Sequence, residues 1–280
     1  MIVSQLWRYP VKSMIGERVD AVELDRLGIV GDRTWAARDL ERGGIRGAKK
    51  IGALMTLAAR DTGDGHVEIT LPDGTTTSTS VSDVDAVVSA AIDHPVRLDA
   101  LRPADDLDHY RRGGPDSEDM MVELRGIFGR EDEEPLPDLS IFPPEIVEYE
   151  SPPGTYYDAF PLLLLTEAAL AALSTALPDS AVDVRRFRPS LVVDTGDAGE
   201  GAGHPEFGWV GRRARVGGAL LEIGAPCPRC VMVTREIDAE VPADRAVLRH
   251  IVRDLDQNVG VYATVVEPGP VATGDRVELV

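Results

Sequence analysis

The residues whose types and spacing most directly indicate chemistry are the two cysteines of the chain. Cys227 and Cys230 lie in the stretch APCPRCVMVT, with two residues between them. Arg229 places a positive charge beside Cys230, and a nearby cation favours the thiolate, the form of cysteine that binds soft metals. This stretch is therefore a candidate thiol site.

The residues around the cysteines predict how the pair is held. Pro226 and Pro228 lack backbone N–H groups and disfavour the α conformation in the residues before them. Strand-like runs lie on either side, over 214–223 and 231–234. We therefore expect the cysteines on a stiff, non-helical loop between two strands.

Four interpretations of the cysteine pair fit the sequence. The two thiols could be half-buried packing residues, as free cysteines often are. A redox-active C-x-x-C usually lies at the start of a helix, and the two prolines argue against one here. A structural zinc ion needs four ligands, and the five histidines show no H-x-x-x-H pairing to complete such a site. A soft metal already chelated by a cofactor needs only one thiolate, which the pair also supplies.

Composition limits the classes of function. With 280 residues, 43% of them hydrophobic and 28% charged, the chain is typical of a globular protein large enough for two domains. Its net charge of −19 disfavours DNA, RNA and anionic membranes as partners, because lysine and arginine bind those surfaces. Two cysteines are too few for a disulfide framework or a four-cysteine iron–sulfur cluster.

No targeting segment is apparent in the sequence. The first residues run directly into a strand-like pattern without a basic leader region. The longest apolar run, FPLLLL at 160–165, is far shorter than the roughly 20 residues that a membrane helix needs. We therefore expect a cytoplasmic protein.

The elements that must position the candidate residues are mostly strands. Alternating apolar and polar residues over 2–8, followed by short runs separated by Gly and Pro, predict a small antiparallel barrel or sandwich. Residues 101–157 are rich in Asp, Glu, Pro and Gly and predict a long surface excursion. In the second half, TEAALAAL predicts a helix over 167–176 that is capped by Thr166. The expected fold class is α+β, mostly β with a few helices.

Six stretches, in order along nearly the whole chain, resemble those of one known family. They are LWRYPVKS (6–13), GIVGDR (28–33), FPLLLLTEAAL (160–170), RFRPSLVV (186–193), CPRCVMVT (227–234) and GDRV (274–277). The second half resembles a MOSC domain, the C-terminal domain of molybdenum-cofactor sulfurases. The whole chain resembles the amidoxime-reducing component of mitochondria and its bacterial relatives. This resemblance implies an N-terminal β-barrel domain over 1–100 and a MOSC β-barrel domain over 158–280. The acidic excursion over 101–157 lies between them and matches no stretch of the family.

The resemblance also implies a molybdenum cofactor (molybdopterin), a pterin dithiolene that chelates molybdenum and ends in a phosphate or larger anion. Cys230 matches the cysteine that binds the metal, so it is the expected metal ligand and catalytic residue, while Cys227 has no assigned role. The expected cofactor-binding residues carry cationic or hydroxyl side chains: Lys12, Ser13, Arg33, Arg46, Thr166, Arg186, Arg188 and Ser190. Ser190 stands where relatives often carry Asn.

The activity that the resemblance implies is that of a molybdenum oxidoreductase. Its small-molecule substrate would be an N-hydroxylated compound whose oxygen atom is removed at molybdenum. No G-x-G-x-x-G motif is present, so we expect a separate reductase to supply the electrons. The alternatives are a molybdenum-cofactor or sulfur carrier without its own redox turnover, and a cofactor-free binding protein.

Overall fold

The computed structural model describes residues 1–196 and 203–280. Its strands are β1 Ile2–Arg8, β2 Glu17–Val19, β3 Ala21–Asp25, β4 Gly28–Ile29, β5 Trp35–Asp39, β6 Ala58–Asp61, β7 Val67–Thr70, β8 Thr76–Ser78, β9 Val96–Ala100, β10 Leu162–Thr166, β11 Leu191–Asp194, β12 Arg213–Val216, β13 Ala219–Pro228, β14 Asn258–Glu267, β15 Gly269–Ala272 and β16 Val277–Leu279. Its α-helices are α1 Val84–Ile92, α2 Leu107–Tyr110, α3 Met120–Phe128, α4 Glu167–Ala176 and α5 Arg245–Asp254. Short 3-10 turns cover Gly52–Thr56, Leu139–Ile141, Pro144–Val147, Val184–Arg186, Pro205–Trp209 and Val231–Thr234.

An eight-stranded sheet forms the centre of the molecule, in the order β16-β12-β13-β14-β10-β11-β1-β2. Its strands pair antiparallel, except that β10 and β11 are parallel. Leu164 and Leu191 are partners in that parallel pair, and both are fully buried in the main apolar core. Strands from both ends of the chain therefore share one sheet, which brings the turn after β1 next to the second half.

Three smaller sheets surround this one. They have the strand orders β15-β3-β4, β5-β9 and β6-β7-β8. A second apolar core lies among the last two sheets and α1, and it includes Leu54, Met55 and Val88. Met232, two residues beyond Cys230, packs into this core as well. The next residue, Val233, packs into a third apolar core, with Leu165, Phe187 and Leu248. The turn after Cys230 therefore lies where the second and third cores meet.

The fold is a mixture of α and β elements, and the expected closed barrels are not confirmed. Across residues 1–196 and 203–280 the strands pair as open sheets, without a closed barrel. The large sheet does curl back on itself, since Val3 N donates to Asp275 O at 2.9 Å. One isolated bridge joins Ile2 of β1 to Arg276, just before the edge strand β16, and no continuous ladder between the described strands closes the sheet.

Two predictions about local structure have different outcomes. The helix over Glu167–Ala176 is confirmed, with Thr166 as its N-cap and the Thr166 hydroxyl accepting from Ala169 N at 3.1 Å. The excursion over 101–157 was expected to bury little, yet it contributes Tyr110, Tyr149 and Tyr156 to a small buried aromatic cluster. These tyrosines supply apolar surface for burial, which the high content of acidic residues in the segment did not indicate.

None of the helices within the two described ranges is long and apolar enough to cross a lipid bilayer.

Candidate functional site

A cavity of about 100 Å³ brings together most of the residues that the sequence singled out. Six stretches meet at it: the turn after β1, the turn between β4 and β5, the segment leading into β10, the turn before β11, the end of β13 with the residues that follow it, and β14. The expected site residues on its wall are Lys12, Ser13, Arg33, Arg186, Arg188 and Cys230. A thiol and several cations thus face one small space, although they are far apart in sequence.

Cys230 lies at the start of a short turn. Its own backbone is extended, and the 3-10 turn Val231–Thr234 follows directly, with Val233 N donating to Cys230 O at 3.3 Å. The prediction of a strand over 231–234 is therefore wrong. The backbone bonds here are local, since Arg235 N also donates to Met232 O at 3.1 Å, and the segment pairs with no neighbouring strand among the described residues. Cys230 itself is half-exposed.

Cys227 has the opposite environment, because it is buried at the end of β13. Arg229 Nη1 donates to Cys227 Sγ at 3.0 Å, and Arg229 Nη2 donates to Phe187 O at 2.7 Å. Burial raises the pKa of the Cys227 thiol, although Arg229 and Tyr262 oppose that shift. Arg229, the cation expected beside Cys230, is thus hydrogen-bonded to Cys227 instead. In an extended backbone, residues two positions apart lie on the same face, so Arg229 lies on the face of Cys227 and not on that of Cys230.

Other cations surround Cys230. Four basic side chains lie close enough for the charge of a Cys230 thiolate to favour their protonated forms: Lys49, Arg130, Arg229 and Arg235. The half-exposed sulfur of Cys230 is open to a metal, and thiolates bind soft metals. The local chemistry at Cys230 therefore suits metal ligation better than that at Cys227.

Lys12 and Lys49 share a carboxylate at the cavity. Lys12 Nζ lies 2.6 Å from Asp158 Oδ1, and Lys49 Nζ lies 3.0 Å from Asp158 Oδ2. Although burial opposes it, the two lysines hold the pKa of Asp158 well below its usual range. Burial lowers the pKa of Lys12, which also donates to Tyr156 O at 2.8 Å. The protein thus provides an internal counter-ion for these two cations.

Arg188 has no such counter-ion. Its guanidinium lies over the Tyr9 ring, 4.2 Å from the ring centroid, and donates to Met14 O. No carboxylate forms an ion pair with it among residues 1–196 and 203–280. Burial lowers the pKa of Arg188 to about 10, and the neighbouring Arg33 contributes. Arg188 is therefore a buried cation that an added anion would stabilise.

The backbone is strained at three points of the cavity wall. Ser13, Arg33 and Arg188 have φ values of 70°, 49° and 56°. Residues other than glycine rarely adopt this left-handed region, and such conformations tend to occur where function requires them. Ser13 Oγ accepts from Ala48 N at 2.9 Å, which leaves its O–H group able to donate into the cavity. Arg33 is ion-paired with Asp32.

Arg186 reaches the cavity, but its hydrogen-bonding groups serve the fold. It is fully buried and donates to four backbone carbonyls, those of Ala181, Val233, Arg235 and Pro242, at 2.7–3.1 Å. Two of these carbonyls belong to the turn after Cys230 or its end. Arg186 therefore positions that turn.

Three expected cofactor-binding residues lie outside the cavity wall. Arg46 pairs with Asp116 at 2.7 Å, and Thr166 is fully buried and donates to Glu206 Oε2 at 2.6 Å. Ser190 accepts from Leu163 N at 3.3 Å. Their polar groups thus already have partners within the protein, so their assignment stays a prediction.

Sequence reasoning missed two cavity residues. Asp158 directly precedes the apolar run over 160–165, but its lysine partners are far away in the sequence, so no local pattern indicates its role. Tyr262 lies in β14, and its ring stacks on Phe160 with centroids 4.5 Å apart. Burial, and then the neighbouring Cys227, raise the pKa of Tyr262 well above its ordinary value, so it stays a neutral hydroxyl.

Comparisons with known proteins show the family of the chain. The family model of the MOSC domain matches residues 152–278, and that of the MOSC N-terminal beta barrel domain matches residues 1–111. The chain is similar to mitochondrial amidoxime reducing component 2 of Bos taurus, with 25% identity over 98% of this chain and 82% of that protein. It is also similar to mitochondrial amidoxime-reducing component 1 of Homo sapiens, with 24% identity over 99% of this chain and 82% of that protein. The crystal structure of the YuaD protein from Bacillus subtilis covers 99% of this chain and 94% of its own, with 12% identity and a TM-score of 0.46.

Proposed function

The chain belongs to the MOSC-domain proteins, and from this premise we propose that it binds a molybdenum cofactor and uses it to reduce N-hydroxylated compounds. MOSC domains are associated with the molybdenum cofactor, and the bovine and human relatives carry the name amidoxime-reducing component. The observation that carries the proposal is the cavity in which Cys230 lies with Lys12, Arg33 and Arg188.

The residues of the cavity fit such a group by their chemistry. A buried cation without a carboxylate partner, as Arg188 is, is costly unless an anion joins it. Lysine, arginine and hydroxyl side chains are the usual partners of phosphate oxygens, and a half-exposed thiol suits a soft metal. The wall thus offers an anion site and a metal ligand at once.

Each wall residue has a distinct part in this proposal. Cys230 would hold the metal, and Arg188, Arg33, Lys12 and Ser13 would hold the anionic end of the cofactor. When bound, the cofactor supplies the two-electron chemistry that, with two protons, converts an N–OH group into N–H and water. Arg186 would keep the Cys230 turn in place through its bonds to Val233 O and Arg235 O.

The proposal extends to the partners of the protein. We propose a small-molecule substrate and a separate electron-donor reductase, since the sequence has no motif for a nicotinamide or flavin dinucleotide. The net charge of −19 supports a protein that binds neither nucleic acid nor an anionic membrane. We expect it to act in the cytoplasm.

The test combines cofactor content with turnover. We expect purified protein, loaded with free molybdenum cofactor where necessary, to hold close to one molybdenum and one pterin per chain. With dithionite as the electron source it should then reduce benzamidoxime to benzamidine. Bound cofactor without any reduction of benzamidoxime would contradict the enzymatic proposal and favour a carrier. A labile sulfur on Cys230 in place of molybdenum would point to sulfur transfer.

A further inference from the structure

A second cavity, of about 710 Å³, lies beside the same turn that holds Cys230. Val231 and Thr234 line this larger cavity, whereas Cys230 and Met232 line the small one. The four-residue turn is therefore a wall common to both. A volume of this size is within the range of about 300–1,000 Å³ that small-molecule sites occupy. No role proposed above uses this cavity.

The wall of the large cavity has an apolar part and a cationic part. Ala53, Val231 and Leu248 provide apolar surface. The charged side chains of the wall are three arginines and one exposed glutamate: Arg235, Arg245, Arg249 and Glu236. In a chain with a net charge of −19, this local excess of positive charge is against the overall trend.

Arg235 has hydrogen-bonding capacity left over at this wall. Its Nε donates to Ala48 O at 3.2 Å and its Nη2 donates to Lys49 O at 3.1 Å, and it lies against Gly52, where a Cβ would be 3.0 Å from its guanidinium. No partner of Nη1, and no ion pair with a carboxylate, is found in residues 1–196 and 203–280. Burial lowers its pKa, which is the response of a cation that lacks a compensating anion.

Two neighbouring groups are already partnered by carboxylates. Arg249 pairs with Glu134 and, at 3.6 Å, with Glu131, although its buried Nε has no hydrogen-bond partner within the described part of the chain. Helix α5 begins at the cavity with Arg245, and its cap Asp244 accepts from Ala246 N. The positive charge open to a ligand at this wall is therefore that of Arg235 and the exposed Arg245, neither of which forms an ion pair within residues 1–196 and 203–280.

We propose that this cavity is a binding site for a small organic monoanion, a carboxylate attached to an apolar or aromatic body. The carboxylate would pair with Arg235 and Arg245, and the apolar body would lie against Ala53, Val231 and Leu248. A planar guanidinium recognises a carboxylate with two parallel hydrogen bonds, so charge and not only shape decides the ligand. The exposed Glu236 disfavours a dianion at the same place.

The experiment compares benzoate with benzamide by isothermal titration calorimetry on the whole chain. The two have nearly the same shape, but only benzoate is charged. We expect benzoate to bind at least about tenfold more tightly than benzamide, and R245Q and R235Q each to weaken benzoate by about tenfold. The control is R213Q, since Arg213 pairs with Glu222 on an exposed strand, and this variant should bind benzoate as the wild type does.

R235Q removes two hydrogen bonds to the backbone, so circular dichroism should check that this variant is folded. The Arg245 side chain is exposed, so R245Q tests the site without affecting folding. Equal binding of benzoate and benzamide, or an R245Q variant that binds benzoate normally, would overturn the site.

Discussion

Two sides of the small cavity are built in the same way, and their comparison explains its chemistry. On one side lie Arg186 and Arg188, and on the other lie Cys227 and Cys230. All four residues line the cavity, but in each pair the first has its polar groups engaged by the protein and the second keeps them available. Arg186 donates to four carbonyls, and Cys227 accepts from Arg229.

The difference within each pair teaches that residue type does not decide function here. Arg188, with one carbonyl and one aromatic ring as partners, keeps donors for an anion. Cys230, half-exposed among cations, keeps its sulfur for a metal. The engaged member of each pair maintains the backbone that presents the other.

The largest expected effect comes from replacing each cysteine in turn by serine. C230S should lose its bound molybdenum almost completely. Mutation of a residue that only supports a metal ligand lowers metal affinity roughly 10–100-fold, and loss of the ligand itself should lower it further. C227S should keep its molybdenum, since its sulfur is buried and hydrogen-bonded to Arg229. Metal and pterin analysis of the two proteins after identical loading measures the difference. Equal molybdenum contents would end the distinction between the two cysteines.

The arginine pair should separate stability from cofactor binding. R186Q leaves several buried carbonyls without donors and should lower the free energy of unfolding by about 3 kcal/mol or more. R188Q should leave that free energy within about 1 kcal/mol, because it removes a buried charge that lacks a carboxylate partner. Urea unfolding of the cofactor-free proteins gives both values.

Cofactor content supplies the other half of this test. R188Q should bind the molybdenum cofactor about tenfold more weakly, as expected for the loss of a charged hydrogen bond to an anion. R185Q is the matched control: Arg185 pairs with Asp183 and Asp238 near the surface, so its loss should cost about 1 kcal/mol or less and leave cofactor content unchanged. If R188Q unfolded as readily as R186Q, Arg188 would be a structural residue too.

Much of the fold and part of the site could be predicted from the sequence because they depend on local patterns. The helix after Thr166 follows from its cap and its composition, and the structure confirms it. The turn over 231–234 could not be predicted, since Met232 and Val233 pack into two different cores that only the tertiary structure defines. Short apolar runs carry no signal that separates a strand from such a turn.

The candidate site divides in the same way. The basic residues at the motifs can be identified from the sequence. The sequence does not show whether their N–H groups point into the cavity or bond to a backbone carbonyl. Arg46 and Arg188 look alike in the sequence, yet Arg46 is paired with Asp116 and Arg188 has only a ring and a carbonyl. Asp158 could not be placed because its two lysine partners are more than a hundred residues away in the chain.

A smaller effect is expected from removing the internal counter-ion of the cavity, Asp158. D158N would leave Lys12 and Lys49 without their shared carboxylate, so the cavity should attract anions more strongly. We expect inorganic pyrophosphate to bind roughly three- to tenfold more tightly to cofactor-free D158N than to wild type, by calorimetry. D116N is the control, because Asp116 neutralises Arg46 and Lys50 away from this wall. An equal gain in both variants would reveal only a general effect of net charge.

The smallest effect concerns how stability depends on pH at Cys227. Burial raises the pKa of this thiol from its ordinary value of 9.0, so the folded protein keeps a proton that the unfolded chain releases. The folded state then binds more protons than the unfolded state, and the free energy of unfolding must fall as the pH rises through 9. The slope is at most about 1.4 kcal/mol per pH unit.

The variant C227A should lack this loss, whereas C230A should retain it. The measurement is the free energy of unfolding in urea, taken from pH 8 to 10 for wild type and both variants. Subtracting the variant value from the wild-type value cancels the contributions of groups that all three proteins share. Arg188 is one such group: its lowered pKa gives a contribution of the opposite sign, in which stability rises as the pH passes about 10. Parallel pH profiles of wild type and C227A would mean that the Cys227 thiol ionises as easily in the folded protein as in the unfolded chain. The contrast between a buried, engaged thiol and a half-exposed, available one would then have no energetic basis.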